Sequence, residues 1–206
     1  PEEADGLCCS QIWEHKGNPA GQRLTANRTI ESFYKWSGGG RIPIFCDTTS
    51  CTHTLLFETG GDILTPENRE KYKQLKIMDI TQWLKEVVLP RIKVIRPKNR
   101  ILLHPTCSCQ IMGLTPVLLD IARKCAREVI LPDNWGCCGA SGDRGFIFPE
   151  LSDSATRDER DEIGHESFDG CYSLARTCEI AMQDHIEQPY ESIVYLVDET
   201  IQDQGT

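Results

Sequence analysis

Nowhere does the sequence approach the roughly 20 consecutive apolar residues that a bilayer-spanning helix needs, so it offers no transmembrane segment. Positive charge is scarce: 22 Lys and Arg stand against 31 Asp and Glu, a formal net charge of −9, with no basic run to relieve it. That balance argues against a nucleic-acid partner, whose binding rests on neutralised phosphates. A glycine-rich dinucleotide fingerprint is missing as well. At 206 residues the chain suffices for one large domain or two small ones. It opens on Pro1, not Met, as expected of a fragment or trimmed chain.

What the chain has is cysteine. There are 11, an odd number that includes two adjacent pairs. Neither the count nor the pairing fits a secreted disulfide scaffold, which leaves metal or redox chemistry. Residues 135–145 read Trp-Gly-Cys-Cys-Gly-Ala-Ser-Gly-Asp-Arg-Gly. Adjacent cysteines do not pair with each other readily, because the short ring strains the peptide between them. Glycines on both sides let the backbone take positive φ and form a nest of N–H groups of the kind found around iron–sulfur sites. Two thiolates aimed at one polynuclear metal site is the reading. A glycine-rich turn with two buried cysteines is the plainer alternative.

Apolar patterning gives alternating strands and helices. A helix is predicted over 22–36, stopped by Gly38-Gly39-Gly40, then a strand over 42–46 and a helix from about 52. An amphipathic helix over 80–88 precedes a second strand over 100–103, which delivers His104-Pro105-Thr106-Cys107 at its carboxyl end. Leu114, Leu118, Ile121 and Cys125 share one helical face. A third strand over 128–131 runs into the Cys-Cys loop. Helices follow over 149–163, with its charged run 157–162 as a solvated face, and over 177–186; a strand turn and helix over 192–200 close the chain. The fold class is therefore α/β with mostly parallel strands, whose sites form at strand carboxyl ends, where Cys46, Cys107 and Cys137 fall.

The two Cys-Cys pairs are related. Cys9 and Cys138 are 129 apart, Lys16-Gly17 and Arg144-Gly145 128, Ser50-Cys51 and Thr177-Cys178 127, Cys46 and Cys171 125. Offsets drifting so little indicate duplication. Two pseudo-two-fold-related halves are expected, 1–95 and 96–206, the first lacking its opening strand and first cysteine.

The order Cys107, Cys137-Cys138-Gly139, Cys178 resembles the cysteine-rich CCG domain of heterodisulfide reductase and of the iron–sulfur proteins of glycolate and lactate oxidation. His104-Pro105-Thr106-Cys107, Gly136-Cys137-Cys138-Gly139, Gly142-Asp143-Arg144-Gly145-Phe146, Pro149-Glu150-Leu151 and Arg176-Thr177-Cys178-Glu179-Ile180 are similar to the C-terminal region of large FAD-linked D-lactate dehydrogenases. The first copy fits through Cys8-Cys9-Ser10-Gln11-Ile12-Trp13 and Asp47-Thr48-Thr49-Ser50-Cys51-Thr52. Enzymes of that family carry an FAD domain, a ferredoxin-like segment and a CCG region on one polypeptide. The resemblance thus implies an iron–sulfur electron-transfer module of a D-2-hydroxyacid dehydrogenase. FAD would sit only on an upstream domain outside this chain, so the chain alone would not oxidise a hydroxy acid. The location implied is cytoplasmic, or peripheral at the inner membrane face.

The same resemblance implies the ligands of a 4Fe–4S cluster, of non-cubane type in heterodisulfide reductase. They are Cys107, Cys137, Cys138 and Cys178, with Cys171 or Cys109 as a fifth, and Cys8, Cys9 and Cys51 with Cys46 in the first copy. The family's terminal Cys-x-x-Cys is broken here by Thr48 and Ala175. A thiol/disulfide catalyst and a structural zinc module are the alternatives. Cys125 reads as core, and Cys109 points toward the site or away. His104 reads as a hydrogen-bonded structural residue, or as one that orients a ligand or donates to a sulfide. Arg144 and Lys16 either offset thiolate charge or form surface ion pairs. No residue is assigned a catalytic role.

Overall fold

In the computed structural model, which describes residues 5–201, a short helix α1 (Gln11–His15) leads into α2 (Pro19–Trp36). Pro19 occupies the first turn, where its missing N–H is not needed, and the Asn18 side chain accepts from the Gly21 N–H. Three glycines with left-handed φ, Gly38, Gly39 and Gly40, end it. A Cβ on Gly40 would stand 2.0 Å from the Gln74 carbonyl oxygen, so only glycine fits there. Strand β1 (Ile44–Cys46) follows, then α3 (Thr49–His53), which runs on as a π turn over Thr54–Glu58. Next come α4 (Pro66–Tyr72), capped by Thr65, and β2 (Ile77–Asp79), parallel to β1. Buried Asn68 of α4 donates to the Asn27 and Glu31 side chains of α2 and ties the two helices together. Ala26, Ile30 and Leu64 form their small apolar core.

From β2 the chain enters α5 (Ile80–Trp83), extended by a π turn over Leu84–Val88, then β3 (Lys98–Leu103), α6 (Cys107–Ile111) and α7 (Thr115–Cys125). Strand β4 (Ala126–Ile130) leads through the Cys-Cys loop to α8 (Arg144–Ile147) and α9 (Pro149–Ile163). β5 (Cys171–Ser173), α10 (Arg176–Ile186), β6 (Tyr190–Ser192) and α11 (Ile193–Thr200) complete it. The four strands pair in the order β4-β3-β5-β6, all parallel. The fold is α/β with parallel sheets, and no helix among the described residues is long and apolar enough to cross a membrane. The expectation attached to Pro1 lies outside those residues.

β3 is interior in its sheet, and its carboxyl half, residues 101–103, is buried on both faces, as parallel strands are. Ile101 and Leu103 face a core built with Leu118, Ile121 and Cys125 of α7, Ile80 of α5 and Leu196 of α11. Leu102 faces the other way, toward Met182 and Ile186 of α10 and Ile163 of α9. Contacts divide the chain into two units, Pro1–Cys46 with Ser50–Asp79 and Asp47–Thr49 with Ile80–Thr206. This packing boundary precedes the 95/96 division expected from the offsets, because Ile80, Leu84 and Leu89 bury into the core of the second unit.

Local structure recurs at the sequence offsets. β1 and β5 begin 127 residues apart, as do α3 and α10, and α2 and α9 each open on proline 130 apart. In this register Cys46 matches Ser173, not Cys171, so the offset of 125 is not a structural correspondence.

Truncating Leu118 to Ala, at full burial between α7 and β3, is expected to destabilise by about 2–5 kcal/mol in urea denaturation. Leu24→Ala, on the exposed face of α2, should stay within about 0.5 kcal/mol.

Candidate metal centre

The strand order places a reversal at β3. The chain moves outward from β3 to β4, then returns past β3 to β5. Such a switch point leaves a crevice beyond the strand carboxyl ends, where α/β sheets hold ligands. Three adjacent strands deliver cysteine into that region. Cys107 begins α6 after β3, Cys137 and Cys138 lie in the loop after β4, and Cys178 sits in the first turn of α10 after β5.

The four thiols gather in one region. Cys138 donates to the Cys178 sulfur at 2.9 Å, and Cys107, Cys137 and Cys138 lie near enough to shift one another's protonation. Gly139 makes the turn possible: its φ is +74°, and a Cβ there would come within 2.7 Å of the Leu151 carbonyl oxygen and the Ser152 Cα. Its N–H donates to the Cys137 sulfur at 3.4 Å. That proximity sorts the protons. Hydrogen bonds from Cys107 and then Cys138 lower the Cys137 pKa below that of a free thiol, helped by the Gly139 N–H. Cys107 and Cys138 are raised, first by their contacts to Cys137. Cys107 and Cys137 are exposed, whereas Cys138 and Cys178 are buried.

The first unit repeats the motif with three thiols. Cys8, Cys9 and Cys51 lie close together, and hydrogen bonding with Cys51 first, then burial, pushes the Cys9 thiol up to about 12 against the opposing influence of Cys8. Ser10 takes the place of Gly139 with φ of 79°, and its N–H reaches the Cys8 sulfur at 3.4 Å, the same contact that Gly139 makes. Buried Thr29 of α2 clamps the loop, accepting from the Cys8 N–H and donating to the Cys8 carbonyl. Cys46 ends β1 and is half-buried.

Behind the four-thiol site lies a buried pair that sequence reasoning saw only in part. His104 and Glu159 are each 1% exposed, and the His104 Nδ1 stands 3.0 and 3.1 Å from the two carboxylate oxygens. The structural reading of His104 is right as far as Nδ1. The solvated-face reading of 157–162 is corrected at Glu159, because α9 buries Ser152, Thr156, Glu159 and Ile163 at helical spacing. Three of those four are polar, so the stripe carried no apolar signal. Cys171 is buried beside Cys138 and Cys178, its own thiol raised to about 12 by burial. Cys109 packs on the opposite face of the sheet with Leu114 and Leu118, which removes it as a fifth ligand. Cys125 is core, as expected, and Arg144 is exposed at the start of α8.

All eleven cysteines are free thiols. Among the described residues no group of three or more His, Cys, Asp or Glu is spaced to hold one metal ion. Cys138 and Cys178 stand 2.9 Å apart as a hydrogen-bonded thiol pair. No family model matches the chain, and no curated protein matches it.

In the metal-free protein near pH 7, iodoacetamide is expected to label Cys137 several-fold faster than Cys107. Both are exposed, but only Cys137 has a lowered pKa and is thiolate above it, whereas Cys107 stays protonated. Peptide mass mapping over time checks this; equal rates would show that exposure alone governs.

Proposed function

We propose that the chain is an iron–sulfur electron-transfer module of a FAD-linked D-2-hydroxyacid dehydrogenase, with Cys107, Cys137, Cys138 and Cys178 as the ligands of one 4Fe–4S group. The observation that carries this reading is the gathering of four thiols beyond three adjacent strand ends, with Cys138 and Cys178 in contact. The donor set fits: soft thiolates suit iron–sulfur groups, the Gly139 N–H already aims at a sulfur, and the site has a buried floor and an exposed rim.

When bound, the group supplies a one-electron relay. The chain's own residues set its conditions. Cys138 and Cys178 hold it from the buried side, and Cys107 and Cys137 from the exposed side. Gly139 keeps the loop tight enough for both adjacent thiols to serve. Cys107 and Cys138 hold their protons at neutral pH, so loading releases protons and weakens as pH falls. The flavin and ferredoxin-like domains that would feed electrons in belong upstream, and the location consistent with eleven free thiols is a reducing, cytoplasmic one, free or at the inner membrane face. The first unit, gathering Cys8, Cys9 and Cys51, has fewer donors and should hold metal more weakly.

One observation favours a second reading. An exposed thiol of lowered pKa beside another exposed thiol, Cys137 near Cys107, is the arrangement of a thiol/disulfide catalyst.

Anaerobic reconstitution with iron and sulfide, followed by metal and acid-labile sulfide analysis, tests the main reading. Wild type should take up both, Cys138→Ser should lose most of the iron, and Cys9→Ser should lose little. Zinc bound without sulfide would instead mark a structural module. Turnover of a model disulfide by the loaded protein would move the assignment to the second reading.

A further inference from the structure

Side chains alternate along β3, and that alternation reaches His104. Ile101 and Leu103 enter one core, while Leu102 enters the cluster that holds Cys138, Cys171 and Cys178. His104 is still paired as a strand residue: its N–H donates to the Tyr172 carbonyl, and the Ser173 hydroxyl donates to its own carbonyl. Two residues beyond Leu102, its ring therefore belongs to the face of the sheet that carries the buried thiols.

The ring's hydrogen bonding is half complete. A carboxylate only accepts, so the contact with both Glu159 oxygens assigns the proton to Nδ1. In that tautomer the ring presents a lone pair at Nε2. That atom is fully buried and has no hydrogen-bond partner. An orphaned buried acceptor costs about 1–3 kcal/mol. Tyr190, the ring edge-on to His104, has an unpartnered hydroxyl as well. A buried imidazole with a carboxylate fixing Nδ1–H and a free Nε2 lone pair is the arrangement that metal-ligating histidines adopt.

We propose that His104 supplies a nitrogen ligand, through Nε2, to the iron–sulfur group held by Cys107, Cys137, Cys138 and Cys178. This rests on the proposed function above and adds a donor that the cysteine pattern does not contain. Glu159 is the positioning residue: its two oxygens at Nδ1 fix the tautomer and set the electrostatics behind the ligand.

Protein labelled with 15N-histidine, reconstituted anaerobically and reduced to a paramagnetic state, provides the test by pulsed electron–nuclear spectroscopy. A nitrogen coupling that changes with the label in wild type, and is lost in His104→Gln while iron is retained, is the expected result. Glu159→Gln keeps an acceptor for Nδ1–H, so it should retain the coupling and shift the potential to more positive values. Wild type that binds iron and sulfide without a histidine coupling, or a coupling that survives His104→Gln, would overturn the assignment and leave a buried water as the partner of Nε2. Failure of wild type to bind iron and sulfide at all would instead sink the proposed function, and this inference with it. Because wild type alone gives the decisive spectrum, the test survives even if His104→Gln misfolds.

Discussion

A parallel sheet covered on both faces leaves polar chemistry one place to go, and the second unit follows from that constraint. Ile101, Leu102 and Leu103 are fully buried, so the charged residues of β3, Lys98 and Arg100, stand at its amino end. Beyond its buried carboxyl end the chain is free to turn polar, and the neighbours of β3 finish there as well. Because the strand order reverses there, the loops after β3, β4 and β5 are brought to one region without a special device. Four thiols in one region are the product of topology first and of loop sequence second.

Loop sequence then decides how the thiols are presented. Two consecutive residues normally point apart. The left-handed residue at position 139, repeated at Ser10, bends the chain so that both members of a Cys-Cys pair take part in one gathering of thiols. Gly139 fits that conformation without strain. Ser10 holds it at a cost of about 1–2 kcal/mol, supported by the buried Thr29 clamp. The first unit has thus kept the turn after replacing the residue best suited to it. At the helix position where it has Thr29, the second unit has Glu159, 130 residues on, and Glu159 is the residue that holds His104.

Much of this was legible in the sequence, and what was not has physical causes. The α/β alternation, the helix over 149–163 and the relation of Cys9 to Cys138 were readable because they rest on apolar period, proline position and spacing. The strands Ile77–Asp79 and Cys171–Ser173 are three residues long, too short to show any period. Glu159 was hidden by its company, since acidic neighbours on the solvent side of α9 disguise a buried carboxylate. Cys109, two residues from Cys107, could not be assigned a side until α6 turned it toward Leu118. The offset between Cys46 and Cys171 suggested kinship that the strand register does not support.

The split between exposed Cys107 and Cys137 and buried Cys138 and Cys178 has a bearing on traffic. On the proposed reading, donor and acceptor would both approach from the side of the two exposed thiols, so electrons would enter and leave by turns and the site would serve as a depot rather than a wire.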